Sequence, residues 1–212
     1  MNKFSHKGSE KKKLVTRLFN DIAKRYDFLN HFFSFGVDYY WRNRLVKSIN
    51  PKPDYIMLDV ATGTGDVAFK LATKTDKVTG IDIASNMIDL ANKKKDKKKA
   101  SNVDFLVGDA EDLPFEDNTF DVITIAYGYR NISNQEGALK EFNRILKNKG
   151  QLFILEFSEP TNRIIGSLYK FYSYKVMPFI ASMFTKKYAY DYLPESIDMF
   201  PSRKDIKKTL EN

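Results

Sequence analysis

Three short apolar runs, each closing on an acid or on a turn that carries one, constrain the fold of this chain more than any other feature. The first, Tyr55–Val60, carries Asp59 near its end and leads into Ala61-Thr62-Gly63-Thr64-Gly65-Asp66. The second, Lys77–Asp82, stops on Asp82, and the third, Val103–Val107, is followed by Gly108-Asp109-Ala110-Glu111. Between them Asp66–Thr73 reads as a helix, and Ser85 can cap another that runs to about Lys97. Alternation of this kind specifies parallel βαβ units with right-handed crossovers. A fourth strand is predicted over Phe120–Ala126 and a fifth over Gln151–Phe157. The helix joining them is opened by Ser133 and Glu136 at capping-box spacing and runs to Leu146. The expected class is α/β, a Rossmann-like, mostly parallel twisted sheet with helices on both faces.

The flanks read differently, and the chain divides into four stretches. Residues 1–13 are polar and lysine-rich and predict a loose basic arm. Residues 14–50 predict a helical lid: Leu14, Leu18, Ile22 and Tyr26 share one helical face, and a second helix spans Tyr40 to Ile49, ended by Pro51 and Pro53. Residues 51–158 hold the sheet. Residues 159–212 form an aromatic helical segment in which Pro178 breaks a run from Ile164 to Phe184, and Ser202 and Asp205 can cap a last helix. No internal repeat is present.

Composition narrows the chemistry. The 212 residues suffice for one substantial core. With no cysteine there is no disulfide, Cys-ligated zinc, iron–sulfur cluster or thiol nucleophile, and two histidines, His6 and His31, do not make a His-rich metal site. No metal is expected. The net charge of +8 is compatible with an anionic partner or with simple solubility. No stretch approaches the roughly 18 consecutive apolar residues of a membrane span, and the N-terminus lacks a signal-peptide core, so a cytoplasmic location is expected.

The turn over residues 61–66 follows a strand and opens a helix, as a dinucleotide-binding turn does, but lacks that motif's third glycine; Phe69 is bulky. Acids flank the turn, which disfavours phosphate and suits a cationic ligand. Asp82 lies at about the twenty-residue spacing at which a carboxylate accepts from both ribose hydroxyls. All three motifs end successive strands, and in open α/β sheets ligands bind outside those carboxyl ends. The expected ligand is therefore S-adenosylmethionine, which carries a sulfonium and an ammonium group.

Further segments add a resemblance. Tyr26-Asp27-Phe28-Leu29-Asn30, Ser34-Phe35-Gly36 and Trp41-Arg42 are similar to the N-terminal signature of the demethylmenaquinone/ubiquinone C-methyltransferases. Gly128-Tyr129-Arg130-Asn131, Arg144-Ile145-Leu146-Lys147 through Leu155-Glu156-Phe157-Ser158, and Tyr192-Leu193-Pro194-Glu195-Ser196 resemble later segments of the same family. The resemblance covers about residues 8–212. It implies methyl transfer from S-adenosylmethionine to a ring carbon of a prenylated quinol, most simply demethylmenaquinol, with a ubiquinone-pathway benzoquinol as the close variant. It also implies a further strand pair completing a seven-stranded sheet, whereas this sequence stops at Asn212, so those strands are expected to be missing or the chain truncated.

Carried over on matching positions, the cofactor-binding residues are Gly63, Thr64, Gly65, Asp82, Asp109, Ala110 and Ala126, the last standing where some relatives have Ser. Arg130 and Asn131 are the catalytic candidates: a guanidinium can stabilise a developing phenolate or orient a water, and an amide can hold the quinol oxygen. Arg130 pairing with an acid to hold its loop is the competing reading. Asp27, Trp41 and Arg42 are read as lid residues or as simple helix packing, and His31 as a packing residue. The expected partners are the prenylated quinol and a membrane surface, met by the aromatic helices with Lys170, Lys175, Lys186 and Lys187, or else a second copy of the chain at the same face. The run Lys93–Lys99 reads as a solvated helix end. Nucleic acid is not expected, because no Asn-Pro-Pro-Tyr-like segment follows the fourth strand and the basic residues are scattered. A non-catalytic scaffold that kept the fold is the rival from another class.

Overall fold

A computed structural model describes residues 6–158, 162–182 and 187–211. The chain divides into two compact units, one over Lys7–Glu156 and the other containing the residues from Phe157 onward.

The first unit is built on five parallel strands, β1 (Ile56–Val60), β2 (Lys77–Asp82), β3 (Val103–Val107), β4 (Phe120–Ala126) and β5 (Leu146–Leu155), in the order β3-β2-β1-β4-β5. Met57, Leu58, Val60, Ile81, Val122, Ile123 and Ile125 are all buried, as strands covered on both faces require. The chain enters at β1 and builds outward first to one side, then to the other. The β1–β4 boundary is thus a topological switch point. Register decides what lies there. Val60 pairs with Ile81 and Ile125, and Asp82 with Val107, so the three acid-bearing turns emerge level with one another.

Helix α1 (Gly8–Phe33) buries Val15, Leu18, Ile22, Ala23, Leu29 and Phe33. It starts inside the stretch expected to be a loose arm. The lysines there have partners: Lys11 donates to the Arg130 and Ile132 carbonyls at 2.8 and 3.0 Å, and Lys12 pairs with Asp109 and Glu111. Helix α2 (Val37–Ile49) also starts earlier than predicted. Asp38 in its first turn accepts from Ser34 Oγ at 2.6 Å and lies 2.6 Å from His31 Nδ1, which ties the turn to α1 and suits the positive helix end.

Helices α3 (Asp66–Ala72), α4 (Ser85–Lys98) and α5 (Gln135–Ile145) complete the βαβ units. Two caps differ from expectation. The α4 cap position is Ala84, whose N–H donates to Asp82 at 2.9 Å, so Ser85 is already helical. The α5 cap is Asn134, which accepts from Gly137 N at 3.0 Å, and Ser133 stands one residue outside. Strand β5 begins directly after α5 and carries an irregularity in which Phe120 pairs with Leu146 but Val122 with Gln151, with Lys149 in the left-handed region at φ 67°. It is the last strand among the described residues.

In the second unit, α6 (Arg163–Phe171) passes through a π-helical turn, Tyr172–Val176, into α7 (Met177–Ser182). Pro178 lacks an N–H and crowds the preceding turn. The wider turn just before it accommodates that, so the helix bends its hydrogen bonding instead of breaking. The expected end of this run, Phe184, lies outside the described residues, as does Lys186. Helices α8 (Lys187–Asp198) and α9 (Arg203–Glu211) follow, with Met177, Ala181, Tyr192 and Ile197 buried. The predicted capping pair holds, Ser202 Oγ donating to Asp205 at 2.6 Å. Among the described residues no helix is long and apolar enough to cross a membrane.

Candidate functional site

A cleft opens at the carboxyl ends of β1, β2, β3 and β4. Gly63, Asp82, Asp109, Ala110, Ala126 and Asn131 all line it, so six of the nine site residues expected from sequence share one cavity. Lys12, Val15, Phe19 and Tyr26 line it from α1.

The glycine turn is held by short local bonds. Thr62 N donates to Ile81 O at 3.0 Å and Gly65 N to Thr62 O at 3.0 Å. Gly65 has φ 88°, and a Cβ there would stand 2.7 Å from Phe105 Cζ, so only glycine fits. Ala68, at the place of the absent third glycine, is fully buried, and its neighbour Phe69 packs edge-on against Phe105 at 5.3 Å.

Asp82 accepts from Gly63 N at 2.8 Å and from Ala84 N at 2.9 Å. These two donors fix the carboxylate and leave acceptor capacity for a ligand's hydroxyls. Burial raises its pKa, and the backbone N–H groups oppose that shift. Asp109 accepts from Glu111 N at 3.0 Å and pairs with Lys12 at 2.6 Å. Glu111 also meets Lys12, at 3.0 Å, and accepts from Ser133 N and Asn134 N at 3.1 and 3.0 Å, fastening the loop after β3 to the loop after β4. Ser133 Oγ is buried at the cleft wall with no hydrogen-bond partner, an orphaned polar atom that a ligand can satisfy.

A smaller cavity adjoins the cleft and shares Tyr26, Ala61, Gly63 and Ala126 with it. Its acids are Asp59 and Asp66. Asp59 is pushed up to about 6 by burial, partly offset by the Thr124 and Thr62 hydroxyls that donate to it at 2.6 Å. A carboxyl raised by desolvation gains from a nearby cation.

Three expected residues sit elsewhere. Thr64 lines the smaller cavity with its hydroxyl tied to Asp27 and to Lys94 at 2.8 Å, and Gly65 serves the turn from behind. Arg130 does not line the cleft. Its Nη1 donates to Glu156 Oε1 at 2.7 Å and to the Tyr127 carbonyl, its N–H donates to Glu156 Oε2 at 3.1 Å, and its side chain is 5% exposed. The guanidinium makes a buried pair with Glu156, the residue that follows β5 and comes within reach through sheet pairing.

The lid residues divide as well. Asp27 pairs with Lys94 at 2.7 Å, and Arg42 lines the smaller cavity, whereas Trp41 is exposed and packs on Tyr40. Tyr127 lines the cleft, its pKa pushed up to about 12 by burial; Tyr129 is core. His31 stacks on Tyr39. The lysine run is not wholly solvated, since Lys94 and Lys95 are paired, the latter with Asp104 at 2.6 Å. Among the described residues no group of acids and histidines could hold a metal. Lys12 and Ser133 also line the cleft, although neither stands out in the sequence. The lysine read as part of a tail, and the serine as a cap.

The sheet has structural counterparts among solved proteins. The YcgJ protein from Bacillus subtilis matches with a TM-score of 0.56 and 26% identity over 62% of this chain and 56% of that one. A SAM-dependent methyltransferase from Aquifex aeolicus matches with a TM-score of 0.53 and 28% identity, covering 57% of this chain and 66% of that one. The parallel sheet and acid-tipped crevice define a class I, Rossmann-like methyltransferase fold. Within that class, the chain belongs to the ubiE/COQ5 methyltransferase family, whose model matches residues 6–212. Among its relatives is the ubiquinone/menaquinone biosynthesis C-methyltransferase UbiE of Geotalea daltonii, 44% identical over 206 residues, 95% of this chain and 88% of that protein. The protein of the same name from Rickettsia bellii is 43% identical over 209 residues, 95% and 84% of the two chains.

Proposed function

We propose that this protein transfers the methyl group of S-adenosylmethionine to a ring carbon of a prenylated quinol, with demethylmenaquinol as the acceptor. The observation that carries the reading is Asp82, fixed by two backbone donors at the tip of β2 and sharing one cleft with Asp109 and Ala110 at the tip of β3. The cofactor fits these residues: Asp82 retains acceptor capacity for a cis-diol, Ser133 Oγ lacks a partner, and acids suit its cationic end. When bound, S-adenosylmethionine supplies a methyl carbon already activated by the adjoining positive charge.

The protein's own residues bind and orient. Asp82 holds the ribose hydroxyls. Asp109 and Ala110 meet the adenine edge, Ala126 and Gly63 give close backbone approach, and Val15, Phe19 and Tyr26 of α1 cover the cleft and exclude water. Arg130 acts as a positioning residue, clamping Tyr127 O and Glu156 so that Asn131 faces the cleft, where its amide can hold the quinol oxygen. The assay is incubation with S-adenosylmethionine and demethylmenaquinol or a demethylated benzoquinol, followed by mass spectrometry. The methylated naphthoquinol is expected. No product from either quinol, with folded protein that binds the cofactor, would contradict the reading and favour a scaffold.

An isoprenoid-tailed acceptor resides in a bilayer, and peripheral contact with its surface belongs to the same proposal. In support, Ile164, Ile165, Leu168 and Phe171 of α6 are exposed at amphipathic spacing with Lys170 among them. Co-sedimentation with anionic phospholipid vesicles is expected, reduced about tenfold by the Ile165→Glu/Leu168→Glu pair. A wild-type chain that ignores vesicles but dimerises through these residues in sedimentation velocity would assign the face to a second copy instead.

A further inference from the structure

We propose that Arg42 receives the α-carboxylate of the methyl donor, making the smaller cavity the subsite for the donor's amino-acid end. The inference rests on the reading above and deepens it.

Arg42 projects from α2 into this cavity and is 5% exposed, so its charge is nearly withdrawn from solvent. Two acids meet it, Asp38 and Asp66, the latter at 3.6 Å, and both approach the same nitrogen, Nη1. Among the described residues Nη2 and Nε donate to nothing, although a guanidinium carries five N–H groups in a planar fork that matches a carboxylate. Neither nitrogen is a fully buried atom without a partner, and Arg42 lines the cavity. The unused edge is a ready acceptor of an anion in a place where bulk water does little to satisfy it.

The surroundings fix the kind of anion. Asp66 beside Arg42 and Asp59 on the same cavity wall would repel a free dianion such as phosphate. They suit a zwitterion, in which a carboxylate and an ammonium group are separated by one carbon. The smaller cavity shares Tyr26, Ala61, Gly63 and Ala126 with the main cleft, next to the Gly63 N–H that anchors Asp82. A ligand whose ribose lies on Asp82 therefore has its amino-acid end directed at Arg42. The other cation bordering the glycine turn is already saturated: the three N–H groups of Lys94 meet Thr64 Oγ at 2.8 Å, Asp27 at 2.7 Å and Asp66 at 3.1 Å. Lys12 serves the opposite end of the cleft, at Asp109 and Glu111.

The test compares three ligands by calorimetry: S-adenosylhomocysteine, its decarboxylated analogue, and methylthioadenosine, which lacks the whole amino-acid end. The wild-type protein is expected to bind S-adenosylhomocysteine roughly 10- to 100-fold more tightly than the decarboxylated analogue, the range for a charge-assisted hydrogen-bonded pair. Arg42→Gln is expected to erase that preference while leaving methylthioadenosine affinity within about twofold, and Arg42→Lys to restore part of it. Equal affinity of the wild-type protein for the carboxylated and decarboxylated ligands overturns the proposal even if no variant folds. Equal loss of all three ligands in a folded Arg42→Gln protein also overturns it, since Arg42 would then only hold α2 to the turn. A wild-type protein that binds none of the three instead contradicts the methyl-donor reading itself.

Discussion

Asp82→Ala is expected to weaken S-adenosylhomocysteine binding at least 100-fold and to abolish methyl transfer at ordinary cofactor concentrations. Two losses add. The ribose hydroxyls lose their charged acceptor, which costs about 1.5–3 kcal/mol. The Gly63 and Ala84 N–H groups lose the oxygens they donate to at 2.8 and 2.9 Å, so the glycine turn and the start of α4 are no longer tied to the tip of β2. Asp82→Asn is the sharper control. It keeps size and one acceptor, but its amide nitrogen must face one of two backbone donors, so the turn is disturbed without a cavity. Isothermal calorimetry with a thermal melt on each variant separates binding from folding. The melting temperature should fall by only a few degrees, because the carboxylate removed is one whose ionisation burial already disfavours. A variant that melts like the parent and still binds normally would remove Asp82 from the site.

Gly65→Ala carries the largest expected effect on stability. The residue sits at φ 88°, where an L side chain is strained, and the new Cβ would lie 2.7 and 2.9 Å from Phe105 and 3.0 Å from Phe69. Neither ring can retreat freely, since each packs on the other at 5.3 Å and both lean on the core around Val67, Ala68 and Val78. Backbone strain of about 1–2 kcal/mol and overpacking of about 1–3 kcal/mol together predict a loss near 3 kcal/mol. For a chain of this size that is on the order of a 10 °C fall in melting temperature. Differential scanning calorimetry checks it; a shift under about 2 °C would mean the turn is far more compliant than its contacts imply.

Much of this architecture was legible in the residues, and the reasons are local. The strands are short apolar runs closed by turn residues, and the alternation with helices leaves few topologies. Asp82 and Asp109 were readable because a strand's end is encoded by the run that precedes it. Sheet register then brings those ends level, Val60 with Ile81 and Asp82 with Val107.

What was not legible depended on partners distant in sequence. Lys11 and Lys12 look like a solvated tail until the loops after β3 and β4 come within 3 Å of them. Arg130 and Glu156 are 26 residues apart and meet through β4–β5 pairing, so their buried pair is not visible in either residue's local sequence. Ser133 and Asn134 are both competent caps, and Asn134 takes the role, which leaves the serine hydroxyl facing the cleft without a partner. The π-helical turn before Pro178 follows from tertiary accommodation that no periodicity encodes.

The claim on which the rest stands is that the acid-tipped crevice holds the nucleoside of the methyl donor. A crystal structure of the complex with S-adenosylhomocysteine tests it directly. The account predicts both ribose hydroxyls on the Asp82 carboxylate, with the adenine against Asp109 and Ala110. A ligand seated elsewhere, with Asp82 touching only Gly63 and Ala84, would contradict it.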